Sequence, residues 1–423
     1  MSKPNSEEKM IVNVKHSVVS IAGVVLSQAA NFIAVILIGK FCGPSELGYF
    51  SQLNAIGLFA GSVLGLRLEV ACMAADKTLA VRALVSSSCV AMGIALLLAV
   101  VAVISGQQKY LTVVVLASGV FLQQALSSAL ASERKYVSIA VQRAFPNVAF
   151  AVAFVALMMI ASHPWSGPDI FAVYSFVFLA SAVVPLVGYL FASRPMLSPE
   201  CLKFSRLQLD YAKFSLPTTS LNSVVIYSIA ILMPLAFAPH DAGVFALAYR
   251  VGYFPASLLS QSLGAVFRRD LIDLVERGTD VRGARNPATS FSLVLMPLSV
   301  VLIAAGYLGL ALIINFKMGD LWQQSMHVYM LFSPYFLTMA VFGSLAQVFI
   351  VFKQQKFDLV IQLMSAASIF IIFTFTTLFR LDFMSVVLLL SLSGTLVACV
   401  GIYYSVNVAK GGMSIKPRDS VAI

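Results

Sequence analysis

The chain has 423 residues, of which 60% are hydrophobic and only 11% are charged, with a mean hydropathy of +0.92 and a formal net charge of +10. A soluble protein of this length carries about 25% charged residues. So few polar groups cannot cover a surface that faces water. The composition therefore predicts an integral membrane protein and excludes an ordinary soluble domain.

Twelve apolar segments are long enough to cross a bilayer, because a spanning helix needs roughly 20 mainly apolar residues. The first segment does not resemble a cleavable signal peptide, since its apolar core is too long and no small-residue cleavage site is evident. In chain order the predicted spans, numbered one to twelve, are 18–38, 47–66, 84–104, 110–131, 137–161, 170–191, 214–237, 243–267, 289–314, 326–351, 357–379 and 383–407.

The lysines and arginines are distributed unevenly between the loops. The predicted spans place successive loops alternately on the two sides of the membrane. Of the 28 lysines and arginines, 23 then lie on the side of both termini and 4 on the other side, while Arg250 lies inside a span. Cytoplasmic loops of membrane proteins carry the excess of Lys and Arg. Both termini are therefore predicted to be cytoplasmic, and the positive net charge is explained without a nucleic-acid partner.

The two sets of six spans resemble each other. GPSELGYF (43–50) and APHDAGVF (238–245) share proline, an acid, glycine and phenylalanine at an offset of 195 residues. Because each half has an even number of spans, both halves begin on the same side and are predicted to be parallel repeats. We therefore expect an all-α membrane protein of about twelve spans, with an N-terminal six-helix lobe (1–192), a cytoplasmic connector (193–213) and a C-terminal six-helix lobe (214–423).

The eighth predicted span contains one charged residue, Arg250. On a helix with 100° per residue, Arg250, Tyr253, Ser257 and Gln261 lie within about 80° of one another. Polar residues on one stripe of a membrane helix face protein or water rather than lipid. Arg250 is either a structural cation held by a carboxylate or carbonyl groups, or a substrate-binding cation in a hydrated cavity. The second interpretation is our hypothesis, because no acid is placed to neutralise it near the midplane.

Four further polar residues are candidates for a functional role. Asn31 lies on a polar stripe of the first span, and Asn222 lies near the start of the seventh. Glu69 is the one acid expected within a span, at its cytoplasmic end, two residues after Arg67. Residues i and i+2 do not face each other on a helix, so we expect no direct Arg67–Glu69 ion pair. Both are candidates for gating or for coupling to an H⁺ or Na⁺ gradient.

Enzymatic chemistry has little support in the sequence. The four histidines are scattered, no phosphate-binding glycine loop occurs, and the loops on the side opposite the termini are too short for a catalytic domain. The five cysteines are odd in number and form no CxxC or Cys/His cluster, so neither a disulfide framework nor a metal site is expected. We predict no catalytic residues, no metal and no cofactor.

Several segments resemble the bacterial polysaccharide (O-antigen and exopolysaccharide) flippase family of the multidrug/oligosaccharidyl-lipid/polysaccharide exporter superfamily. The similar segments are GLRLEVACMAADKTLAVRAL (65–84), YAKFSLPTTSLNSV (211–224), DAGVFALAYRVGYFPASLLSQSLGAVF (241–267) and MGDLWQQS (318–325). The resemblance implies a V-shaped pair of six-helix lobes around a cavity lined by spans one, two, seven and eight. It also implies flipping of an undecaprenyl-pyrophosphate-linked oligosaccharide across the bacterial inner membrane, in lipopolysaccharide or exopolysaccharide biosynthesis, with other polysaccharide-assembly membrane proteins as partners.

Two other functions stay open at this point. A cation-coupled multidrug antiporter of the same superfamily would favour a buried carboxylate, and Glu69 is the only one that the sequence offers. A membrane-embedded glycosyltransferase or polymerase would need catalytic acids on its outward loops. Since those loops are short and lack such acids, the flippase is the function that the sequence favours.

Overall fold

The computed structural model describes residues 6–73, 77–160, 165–193, 206–276 and 286–412, and within these ranges every regular element is a helix. Eleven of the described helices are long and apolar enough to cross a membrane, by length and composition. The chain is therefore a multi-pass integral membrane protein, as its composition predicts.

The helix bounds follow the predicted spans closely. The main helices are α1 (Ser6–Val63), α2 (Lys77–Ile104), α3 (Lys109–Ser132), α4 (Tyr136–Ile160), α5 (Gly167–Ala192), α6 (Arg206–Ala236), α7 (Pro239–Glu276), α8 (Pro287–Ile313), α9 (Gln323–Leu345), α10 (Gln347–Val351), α11 (Gln355–Phe379) and α12 (Phe383–Gly412). Short helices at Leu68–Met73, Ile314–Met318 and Asp320–Trp322 complete the described part of the chain.

The first helix supplies two of the twelve predicted spans. Its apolar part runs over Val25–Val63, 39 residues, or about 58 Å at 1.5 Å per residue. That is about twice the 30 Å hydrocarbon thickness of a bilayer. The helix is broken at Gly43, whose backbone (φ 85°, ψ 178°) is not helical and favours glycine. Predicted spans one and two are therefore the two halves of α1, which reconciles twelve spans with eleven helices.

The chain forms two compact units, and the first comprises residues 1–243. In this unit α1 packs against α3, α4, α5 and α6, and α3 also packs against α2 and α5. As a result α3 is the most enclosed span, with 78% of its most apolar stretch buried. Gly57, Gly61 and Gly65 lie against Leu116, Val120 and Phe121 of α3. Small residues at this spacing let two membrane helices approach closely.

The second unit comprises residues 244–423. There α9 packs against α8 and α12, and α11 packs against α12. One part of its core joins Phe267 and Leu271 of α7 to Leu345 and Val348. Phe267 also stacks on Phe291 of α8, with ring centroids 4.2 Å apart and nearly parallel planes.

The boundary between these units lies after Gly243 because α6 packs against α1 and the Leu68–Met73 helix of the first unit. The division into repeats at 1–192, 193–213 and 214–423 remains a prediction. Most of its connector, residues 194–205, lies outside the described residues, as do residues 1–5 and 413–423 at the termini.

Candidate functional site

All four members of the predicted polar stripe lie on α7, in the second unit. Arg250 and Tyr253 are half-buried, Ser257 is buried and Gln261 is exposed. The Ser257 hydroxyl donates a hydrogen bond to the carbonyl of Phe254, at 2.9 Å, in its own helix. The Ser257 hydroxyl therefore already has a hydrogen-bond partner within α7. The longer side chains of the stripe, those of Arg250, Tyr253 and Gln261, are better candidates for binding a solute.

Aromatic packing fixes α7 beside this stripe. Tyr249 stacks on Tyr253 with centroids 5.2 Å apart and contacts Phe332 and Phe336 of α9 at 5.9 and 5.8 Å. A Cβ atom on Gly252 would lie 2.6 Å from Cζ of Phe336. At 100° per residue, this α9-facing side of α7 is centred roughly 115° from the stripe. Arg250 therefore projects from a helix whose adjacent face is rigidly packed.

Two of the candidate substrate-binding residues, Asn31 and Asn222, belong to the first unit. Asn31 is half-buried on α1, and Asn222 is exposed on α6. Next to Asn222, the hydroxyl groups of Ser223 and Ser62 form a hydrogen bond of 2.9 Å. The Gln52 side chain also donates to the carbonyl of Ile231, at 3.3 Å. Polar contacts therefore join the second half of α1 to α6, which are predicted spans two and seven.

A polar network that the sequence analysis missed joins α1, α4 and α5. The Ser27 hydroxyl donates to the carbonyl of Arg143 at 2.8 Å, and the Asn147 amide donates to the Ser27 hydroxyl at 3.4 Å. The Tyr174 hydroxyl donates to the Asn147 side-chain oxygen at 3.3 Å. Each of these helices contributes a single polar side chain, so the sequence gives no sign that they meet, and only the packing of the helices brings them together.

The 23 lysines and arginines counted above for the side of the termini include Arg143, and the structure corrects its assignment to a loop. It lies seven residues inside α4, and its side chain is exposed on the helix surface. Within the described residues the guanidinium has no hydrogen-bond or ion-pair partner, whereas its backbone carbonyl accepts from Ser27. Since side chains on a helix point toward its N-terminus, Arg143 can extend to the membrane interface. Arg143, like Arg250, thus lies inside a helix that is long and apolar enough to cross a membrane.

Arg67 and Glu69 form an ion pair, so the expectation that they would not meet is wrong. Arg67 Nη1 lies 3.0 Å from Glu69 Oε1, and Arg67 Nε donates to the Ser215 hydroxyl of α6 at 3.4 Å. The reason is that the helix ends at Val63, and Glu69 lies on the separate Leu68–Met73 helix rather than within the second span. Leu66 and Arg67 have positive φ angles of 51° and 62°. Such conformations cost about 1–3 kcal/mol each, and they turn the two side chains toward each other.

The Glu69 carboxyl group is buried, with only 2% of the residue exposed. One oxygen binds Arg67, and the other has no hydrogen-bond partner among the described residues. Burial raises the pKa of Glu69, and the Arg67 guanidinium opposes the shift. Burial also raises the pKa of the Cys72 thiol, and the charge of Glu69 adds to the rise. A half-satisfied buried carboxyl group is well suited to bind a proton.

No group of metal-ligating side chains occurs among the described residues. Glu133 of the same unit binds Lys77 and Lys135 at 3.2 and 2.6 Å. Although partial burial acts in the opposite direction, these lysines and Tyr189 lower the pKa of Glu133. This cluster fastens the start of α2 to the turn between α3 and α4.

Comparison with solved structures identifies the fold. The chain is similar to an inward-facing conformation of a multidrug resistance MATE family transporter of the MOP superfamily, with a TM-score of 0.68 and 12% identity, covering 95% of this chain and 100% of that one. It is also similar to the lipid II flippase MurJ in an inward closed conformation, with a TM-score of 0.65 and 14% identity, covering 92% of this chain and 87% of that one.

An outward-facing MATE family transporter of the MOP superfamily matches with a TM-score of 0.56 and 12% identity, over 95% of this chain and 96% of that one. No family model matches the sequence. No curated protein matches it either. The chain therefore has the fold of MOP-superfamily transporters.

Proposed function

We propose that the protein is a flippase that moves an undecaprenyl-pyrophosphate-linked oligosaccharide across the bacterial inner membrane by alternating access. The observation that carries the proposal is Arg250, a half-buried guanidinium inside the membrane-spanning helix α7, on a stripe with Tyr253 and the exposed Gln261. A lipid-facing arginine at the centre of a span costs about 2.5–3.5 kcal/mol or more. A hydrated cavity lowers that cost, and the negative charge of a pyrophosphate group is attracted to the guanidinium in such a cavity.

The chemistry of the guanidinium supports this choice of cargo. Its planar N–H groups form two parallel hydrogen bonds to two phosphate oxygens, whereas an ammonium group binds phosphate as a point charge without that fixed geometry. Tyr253 and Gln261 offer hydrogen bonds to sugar hydroxyl groups along the same stripe. Asn31 of α1 and Asn222 of α6 are proposed as further sugar-binding residues. The fold, which a lipid II flippase shares, is compatible with lipid-linked cargo.

Replacing Arg250 tests the proposal. Hydrogen bonds to charged groups contribute about 1.5–3 kcal/mol, so Arg250→Ala should lower cargo affinity by about 10- to 150-fold. Arg250→Lys should keep part of the activity, because the charge survives and the two-oxygen geometry does not. The measurements are surface polysaccharide, lipid-linked oligosaccharide retained on the inner leaflet, and protein abundance in the membrane.

Arg268→Ala is the matched control, because Arg268 is an exposed arginine near the other end of α7. It should leave surface polysaccharide unchanged. Full export by an abundant Arg250→Ala protein would contradict the proposal. Degradation of both Arg250 variants, with the control intact, would instead assign Arg250 a structural role.

Glu69 favours one second candidate, a cation-coupled multidrug antiporter. A buried carboxyl group with a free oxygen can exchange a proton, and a multidrug transporter shares the fold. Deletion of the gene separates the two candidates. The flippase predicts loss of surface polysaccharide, whereas the antiporter predicts unchanged polysaccharide and increased sensitivity to cationic dyes.

A further inference from the structure

The exposed apolar residues of α4 show which side of this helix meets the lipid. They recur every three or four residues and are between 41% and 66% exposed, and they are Val137, Val141, Phe145, Val148 and Val152. At 100° per residue, all five lie within about 80° of one another. Because polar groups in a spanning helix avoid lipid, an exposed stripe without polar residues faces the hydrocarbon. These five residues therefore define the lipid-facing side of α4.

Arg143 lies about 160° around α4 from the lipid-facing side. Its neighbours on its own side of the helix, Ile139, Asn147 and Phe150, lie within about 40° of it and are buried. Phe150 stacks on Phe50 of α1 with ring centroids 6.1 Å apart, so this side of α4 packs inside the first unit. Arg143 is nevertheless exposed. An exposed side chain on the packed side of a helix lies at an opening between helices, and this opening is turned away from the lipid.

Contacts with α1 fix the backbone that carries Arg143. The Ser27 hydroxyl donates a hydrogen bond to the carbonyl of Arg143 at 2.8 Å, and the Asn147 amide donates to that hydroxyl at 3.4 Å. A Cβ atom on Gly23 would overlap the Cβ atom of Ala140, so α1 and α4 are in close contact three residues before Arg143. The guanidinium therefore extends from a backbone that is held in place on both sides.

The charge of Arg143 is not neutralised by the part of the chain that the structure describes. Within those residues its guanidinium has no hydrogen-bond or ion-pair partner. By contrast, Arg67 of the same unit binds Glu69 at 3.0 Å. Lys135, one residue before α4, binds Glu133 at 2.6 Å. Since a cation within a spanning helix normally pairs with a counter-charge or with carbonyl groups, an anion from outside the protein is the missing partner of Arg143.

We propose that Arg143 is an anion-binding residue, which holds a phosphate or pyrophosphate group in a water-filled opening inside the first unit. The guanidinium forms two parallel hydrogen bonds to two phosphate oxygens. Because Arg143 points away from the lipid-facing side, the anion comes from the water-filled opening rather than from a phospholipid of the surrounding bilayer. Asn31, proposed above as a sugar-binding residue, lies one turn further along α1 than Ser27. That the anion is the pyrophosphate group of the cargo rests on the proposed function.

Thiol labelling tests whether position 143 faces water. The five native cysteines are replaced by serine in the full-length protein, and one cysteine is introduced by Arg143→Cys, Val141→Cys or Phe145→Cys. A charged, water-soluble methanethiosulfonate reagent is then added to each protein in nanodiscs. Because a thiolate forms in water and not in hydrocarbon, labelling at position 143 should be at least about tenfold faster than at the two lipid-facing positions. Equal or slower labelling at position 143 would overturn the inference.

Inorganic pyrophosphate is the probe for the anion, and its affinity is measured from the rise in melting temperature of the purified protein with pyrophosphate concentration. The measurements use the Arg250→Ala protein, in which the second candidate guanidinium is absent. Adding Arg143→Gln should weaken pyrophosphate binding by at least about tenfold. Adding Arg143→Lys should weaken it less, because the charge is kept. Adding Arg268→Gln, at an exposed position of α7, is the matched control and should leave the affinity unchanged.

Two outcomes of the binding experiment would overturn the inference. One is the absence of pyrophosphate binding in the Arg250→Ala protein, and the other is equal affinity with and without Arg143→Gln. Native mass spectrometry tests the other source of phosphate, the bilayer. The wild-type protein and Arg143→Gln should retain the same number of phosphatidylglycerol molecules, and loss of one from the variant would show that Arg143 binds a phospholipid headgroup instead. Because none of these measurements involves transport, the anion site and the flippase proposal can fail separately.

Discussion

Removing the Arg67 guanidinium should destabilise the protein in a pH-dependent way. In Arg67→Ala, the Glu69 carboxyl group stays buried but loses the partner 3.0 Å away. Breaking a buried ion pair costs about 3–5 kcal/mol when the remaining group stays charged. Glu69 can instead take up a proton. Protonating a carboxyl of ordinary pKa, about 4.3, costs about 3.7 kcal/mol at pH 7. The expected loss is therefore limited to about 3–4 kcal/mol.

The direction of the pH effect follows from the raised pKa of Glu69. Burial holds that pKa above its unfolded value, and removal of Arg67 takes away the effect that opposes the rise. The stability associated with such a group is fully present below the unfolded pKa and is lost as the pH rises through the folded pKa. The deficit of Arg67→Ala relative to wild type should be small near pH 5 and should grow toward pH 8.

Thermal unfolding of the purified protein in detergent, at pH 5 and at pH 8, measures this deficit. The double variant Arg67→Ala/Glu69→Gln should recover stability at pH 8 and remove the pH dependence, because no charge is then buried. The exposed Arg268→Ala serves as the matched control. A deficit of equal size at both pH values, or no rescue by Glu69→Gln, would refute the assignment of Glu69 as a titrating group.

Two further predictions concern topology and backbone conformation. Reporter fusions at Trp165 and Pro239 should report the periplasm and a fusion at Glu276 the cytoplasm; a cytoplasmic signal at Pro239 would contradict the parallel repeats. Gly43→Ala should destabilise the protein by about 1–3 kcal/mol, since alanine does not adopt the backbone of Gly43 (φ 85°, ψ 178°) without strain. Gly93→Ala is the control, because it adds the same methyl group at a helical glycine with open space around it. Equal melting temperatures of the two variants would refute the prediction that alanine is strained at position 43.

The sequence alone determined the class of protein and the course of the chain. Hydropathy is a sum over neighbouring residues, so a membrane-spanning segment can be predicted without knowing which helices it packs against. That is why the predicted spans match the helices, and why the all-α membrane fold is confirmed by the solved structures. The stripe of Arg250 and Tyr253 could likewise be predicted from the sequence, because both residues lie on one helix and their relative positions follow from helical spacing alone.

Only the tertiary structure decided which distant residues meet. Arg67 binds Glu69 because two left-handed residues follow the end of α1, and local helical spacing predicted the opposite. The offset of 195 residues relates Gly48 to Gly243, but it does not show that Gly48 packs on the carbonyl group of Pro239 and Gly243 on that of Pro44. Such contacts join segments far apart along the chain, and their geometry is set by the packing of whole helices rather than by the hydrophobicity of any one segment.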